Sequence, residues 1–162
     1  MSTIIDTLVT DRTQADVERV KTLAAKGFAA MTAAERAEWL TGMKGAYNAA
    51  DLNRVGTALN YLAGRLGPIC GKSITWTAKT DWAVTDIITA SQADAYRKQV
   101  QSIRDALAYP EGTPDAPQLA RLTYIGANDI ERILALCEEL IDNITKAFRY
   151  TGAAECATGG LI

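Results

Sequence analysis

The stretch Asn48-Ala-Ala-Asp51-Leu-Asn-Arg54-Val55-Gly-Thr-Ala-Leu59-Asn-Tyr-Leu62-Ala-Gly-Arg-Leu66 decides the fold class. Leu52, Val55, Leu59, Leu62 and Leu66 advance by threes and fours, which puts them on one face of an α-helix. Ahead of them Asn48 can accept from exposed first-turn N–H groups. Asp51 sits where the helix dipole is positive, and Arg54 lies one turn on, in reach of Asp51. Burying five such side chains is worth on the order of 10 kcal/mol gross, against about 1 kcal/mol for a cap. Packing therefore holds the helix, and the cap sets where it begins.

The same box, a cap, then Asp, then Arg three further on, recurs outward in both directions. It reads Thr13-Gln-Ala-Asp16-Val-Glu-Arg19, Ser91-Gln-Ala-Asp94-Ala-Tyr-Arg97 and Gly126-Ala-Asn-Asp129-Ile-Glu-Arg132, giving the helix-start pairs Asp16/Arg19, Asp51/Arg54, Asp94/Arg97 and Asp129/Arg132. Thr32-Ala-Ala-Glu35 is a fifth start, ahead of a segment in which Trp39, at helical spacing with Leu40 and Met43, is assigned to the core. Tyr47 with Leu52, and Ile125 with Ile130, have the spacing of hydrophobic staples. Asp16 and Asp51 are 35 residues apart, as are Asp94 and Asp129. That spacing fits either a duplication or independent use of one capping solution.

Behind the boxes, Tyr96, Val100, Ile103 and Leu107 form one stripe, and Ile130, Ile133, Cys137, Leu140 and Ile144 another. Leu134, Ile141 and Phe148 widen the last stripe enough to touch two neighbours, which predicts this helix at the centre of the core. Gly67-Pro68-Ile-Cys-Gly71 is expected to end the third helix. Ser73-Ile-Thr-Trp76-Thr-Ala-Lys-Thr-Asp-Trp82 alternates apolar and polar residues and predicts a short strand or hairpin. The reading is an all-α, mainly helical fold: a bundle of about five helices over 13–150, with an extended or β segment near 73–82. An N-terminal arm over 1–12 and a flexible or partner-ordered tail over 151–162 complete it.

Chemistry is harder to place. The 162 residues carry a net charge of −2 with no basic run, which speaks against nucleic acid as a partner, and no apolar stretch is long enough to span a bilayer. The N-terminus lacks the pattern of a signal peptide, so synthesis and folding in the cytoplasm are expected. Histidine is absent, removing the commonest general base and metal ligand. Cys70, Cys137 and Cys156 have neither CxxC spacing nor an even number, and are read as thiols. Gly71-Lys72-Ser73 ends like a phosphate-binding loop, but the required upstream glycine position holds Leu66. Glu138, Glu139 and Asp142 are read as a solvated face. No catalytic residue, cofactor or metal site is assigned, and the chain is not expected to be an enzyme.

Ile4, Ile5, Leu8 and Val9 are too apolar for a solvated leader and, with Trp76 and Trp82, are the candidate interface residues. The two tryptophans are assigned to core or subunit interface, with glycan stacking as the alternative.

Four blocks carry a resemblance: Asp11–Arg19, Gly42–Val55, Thr77–Trp82 and Ala127–Ile133. They resemble segments of small proteins encoded among the tail genes of bacteriophages and prophages of gut bacteria, over about Ile5 to Tyr150. The ending Ala153-Ala-Glu-Cys-Ala-Thr-Gly-Gly160 departs from that family, whose members end in a more aromatic and acidic stretch. The resemblance implies a virion structural protein of the tail, tail tip or baseplate. Such a protein is made in the host cytoplasm, assembled into the virion tail, and partnered by itself and by other tail proteins. Host-surface or glycan recognition through exposed aromatics is the alternative function.

Overall fold

The computed structural model describes residues 4–71 and 73–158, and the side chains among them other than those of 70 and 149–158. Five α-helices form: α1 (Gln14–Lys26), α2 (Ala33–Thr41), α3 (Ala49–Cys70), α4 (Ala90–Ala106) and α5 (Tyr124–Thr158), with short 3-10 turns at Ile5–Thr7, Phe28–Ala30 and Leu119–Arg121. Thr13 with Asp16, Thr32 with Glu35, and Asn48 with Asp51 close the expected capping boxes.

Two starts move upstream. Thr89, not Ser91, caps α4, because Gln92 three residues on completes a box with it. Thr123, not Gly126, serves α5, its hydroxyl accepting from the Gly126 N–H at 3.1 Å. Ile125 consequently lies inside the helix and is exposed, so it staples nothing.

The Asp/Arg pairs fare unevenly for the same reason. Asp51 pairs with Arg54, and Asp94 lies 3.5 Å from Arg97. Arg19 instead reaches Glu38 on α2, since Asp16 is occupied by Thr13. No ion pair joins Asp129 to Arg132 among the described residues. The Glu35 carboxylate, held by Lys26 and by the Thr32 N–H, titrates far below its ordinary value of 4.5, at about 2. The α2 cap should therefore persist to acid pH and be lost only as pH falls through about 2. An NMR titration of Glu35 checks this, and a midpoint near 4.5 would show the box to be open.

Helix α3 does not stop at Gly67-Pro68. Pro68 lies in its last turn, where one lost hydrogen bond is tolerable, and Gly71 ends the helix at φ +62° with its N–H on the Gly67 carbonyl. Helix α5 continues past Tyr150 to Thr158, so the expected tail is helical up to that point. Residues 159–162, Lys72 and the Cys70 side chain lie outside the described residues.

Three cross-bonds fix how the long helices lie. Arg54 meets Glu131, Tyr61 meets Glu138, and Arg65 meets Asp142, each 77 residues apart, so α3 and α5 run parallel in constant register. Parallel neighbours need a return crossing, and residues 71–89 provide one. Ala78 lies against Asn60 and Trp82 against Asn53, so this segment descends α3, and its Trp76 and Thr77 meet Ser102 and Gln99 of α4 in the opposite order. Helix α4 is thus parallel to α3. A second return, over 107–123, descends α4 with Pro114 near Arg104 and Ala116 on Gln101. The core of three parallel helices includes Val55, Leu59, Leu62, Val100, Ile103, Ile133, Leu134 and Ile141, with α5 against both others as Leu134 and Ile141 of its wide stripe predict, while Ile144 and Phe148 of that stripe are exposed. Helices α1 and α2 close a smaller core around Leu23, Met31 and Met43.

The expected strand over 73–82 is an extended strap without a ladder. Side-chain amides take the ladder's place: Asn60 accepts from the Ala78 N–H at 2.7 Å and donates to the Ala78 carbonyl at 2.9 Å. Asn53 treats Trp82 the same way, at 2.7 and 2.9 Å, and Asn128 grips Arg12 of the arm at 2.9 Å on both sides. A shorter amide-free side chain would orphan two backbone groups of the strap. Asn60→Ala is expected to lower stability by about 2 kcal/mol, read from chemical denaturation; an unchanged midpoint would show the clamp to be dispensable.

Candidate functional site

Two features stand apart from ordinary core packing. The first is a polar seam between α3 and α5. Arg12, 4% exposed, donates to Asp51 at 2.8 Å, to Glu131 at 2.6 Å and to the Val9 carbonyl at 2.6 Å. Arg54 also reaches both carboxylates, and the Val9 N–H donates to Glu131 at 2.6 Å. Burial works against the charge of Arg54, but hydrogen bonding to Glu131 and the neighbouring negative charge outweigh it and hold the group above its ordinary value. Beside this quartet the Tyr47 and Tyr96 hydroxyls are bonded to each other, and burial pushes both phenols up. Farther along, Arg65 binds Glu138 and Asp142, so these two carboxylates belong to the seam and not to a solvated face.

Two arginines against two carboxylates make the quartet neutral, and each member meets an opposite charge. Such a set fixes register and pins the arm; it offers no poised acid, base or nucleophile. No group of residues suited to hold a metal occurs among the described residues.

The second feature is an apolar groove of about 540 Å³ at the end where α3 begins, between the end of α2 and the loop after the strap. Met43, Tyr47, Leu52 and Trp82 line it, as do Trp39, Leu40 and Val84. Leu40 is 74% exposed and Val84 96%, with Ile87 at 88% close by in sequence. Trp39 is 36% exposed, which corrects its assignment to the core: α2 is a single two-turn helix and turns this flank outward. Trp82 is buried under the Lys79 ammonium, 4.9 Å from its ring centre, and its indole N–H has no acceptor among the described residues.

The candidate interface residues are thus divided. Ile4, Ile5 and Leu8 pack against the main core of the same chain, and Val9 is tied to Glu131, so the arm lies on its own bundle. Trp76 also packs on that core and donates to Ser102 at 3.3 Å, which leaves only Trp82 on the groove. Sequence reading missed Leu40, Val84 and Ile87. The signal for the latter two was that Thr85 and Asp86 separate Val84 from Ile87 in a segment with no helical period.

No helix among the described residues is long and apolar enough to cross a membrane. Comparison of the chain with protein-family models, curated proteins and solved structures gives no match.

Proposed function

We propose that this chain is a non-catalytic assembly subunit that works by docking its apolar groove onto protein, in the tail, tail tip or baseplate of a bacteriophage. The observation that carries the docking part is the exposed set Trp39, Leu40, Val84 and Ile87 gathered around or beside the groove. Contiguous apolar surface of this kind marks protein contact sites. The internally neutral polar seam supports the absence of chemistry, because its charges are spent on one another. The phage assignment rests on the four sequence blocks, and with it go self-association, other tail proteins as partners, and synthesis in the host cytoplasm. Glycan recognition is the weaker reading, since Trp76 packs on the chain's own core and Trp82, in the groove wall, is buried.

Sedimentation velocity over a wide concentration range, alone and with the products of neighbouring tail genes, tests the docking claim. Leu40→Asp and Val84→Asp are exposed substitutions that leave the core intact, and each is expected to weaken association at least tenfold, the cost of about 1.4 kcal/mol. Unchanged association in both, or a wild-type chain that stays monomeric in every mixture, would overturn it.

A further inference from the structure

Helices α1 and α2 are bonded to each other and not to the rest of the chain. Arg19 reaches Glu38 at 2.7 Å, Lys26 reaches Glu35 at 2.6 Å, and Leu23, Met31 and Met43 are buried in a core of their own. Among the described residues, no hydrogen bond or ion pair joins residues 13–43 to α3, α4, α5 or the strap. The two connections to the bundle, by contrast, are firmly held. Asn128, Asp51 and Glu131 grip Arg12 on the first, while the Asn48 cap and the Tyr47–Tyr96 bond hold the second. Lys44 binds Asp11 at 2.7 Å and so ties the two connections side by side. There Gly45 meets the first turn of α1 backbone on backbone, since a methyl group on it would lie 2.2 Å from the Asp16 carbonyl oxygen. Gly42, at φ +90°, ends α2 shortly before this contact. Two adjacent connections anchored on one side, with a unit that carries its own core on the other, form a hinge.

Both flanks of α1 have room for motion. Val20 is in the wall of the 540 Å³ groove; Val17 and Lys21 are in the wall of a second hollow, of about 330 Å³, whose far side is the start of α5 with Leu122 and Ile125. Interlocked side chains resist displacement, and neither flank is packed in that way. The exposed apolar residues of the groove are divided between two jaws, Trp39 and Leu40 on α2 and Val84 on the loop after the strap. Movement of α1 toward α5 widens the groove, and the reverse movement brings the jaws together and takes their surface from water.

We propose that α1 and α2 form a lid that swings on the Asp11–Lys44 pivot and so opens and closes the groove. Its use in docking rests on the docking reading, but the motion belongs to the chain alone and is tested without a partner, so either can fail without the other.

The test is double electron–electron resonance between paired spin labels on the full chain, in a Cys70→Ser, Cys156→Ser background with Cys137 buried. Lys98→Cys on α4, paired with Ala25→Cys near the far end of α1, reports the lid; paired with Glu139→Cys on α5, it reports the bundle, and all three positions are exposed. The lid distance distribution is expected to be about twice as wide as the bundle distribution. Ile125→Trp, at a half-exposed position in the hollow, should narrow the lid distribution toward the bundle width, and Lys44→Ala, which cuts the tie between the connections, should widen it. A lid distribution no wider than that of the bundle, or one left unchanged by either substitution, would overturn the proposal.

Discussion

Glu131→Ala is expected to lower the stability of the fold by about 3–5 kcal/mol, the cost of breaking a buried ion pair by removing one partner. Glu131 is fully buried and accepts from Arg12, Arg54 and the Val9 N–H, so its loss leaves two guanidinium groups to share Asp51 and orphans a backbone donor of the arm. Chemical denaturation reads the loss directly. Glu139→Ala, eight residues on and exposed, is the control and should stay within about 0.5 kcal/mol of wild type. Equal effects of the two would mean that the quartet does not pin the arm and the α3–α5 register.

Gly56→Ala should also destabilise, by about 2 kcal/mol, although alanine is the better helix former. A methyl group at Gly56 would lie 2.3 Å from the Lys79 carbonyl oxygen, where the strap crosses α3 between the Asn53 and Asn60 clamps. Relief requires the strap to lift, and that opens the clamps. Gly64 stands two turns on in the same helix with nothing near its missing methyl group. There Gly64→Ala should stabilise by about 1 kcal/mol through helix propensity alone. Opposite signs in one helix, read as melting temperatures, separate close approach from propensity; a gain at both positions would show the strap to be loosely held.

These two sites show where the sequence was legible and where it was not. Helix existence followed from the stripes behind Asn48 and Tyr96 and from the stripe of α5, because apolar periodicity and burial are one fact seen twice. Exact starts failed where two capping residues competed within three positions, as at Thr89/Ser91 and Thr123/Gly126. The parallel arrangement was hidden, since Glu131 and Glu138 look like any charged residue until the register of 77 residues brings them to Arg54 and Tyr61. The strap read as a strand because its alternation is real: one face packs on the core. Its backbone partners, however, are asparagine side chains, which periodicity does not report. Among the candidate interface residues, apolar character alone did not separate Ile4 and Leu8, which cover the chain's own core, from Leu40 and Val84, which cover nothing in it.

The central claim is that the groove beside Leu40 and Val84 is the surface through which this protein acts. Hydrogen exchange measured on the chain alone and in complex with the tail proteins proposed as its partners addresses it most directly. Amides over 39–50 and 82–88 should gain protection on assembly while the far half of α3 is unchanged. Protection that appears elsewhere and leaves both of those segments as they are in the free chain would contradict it.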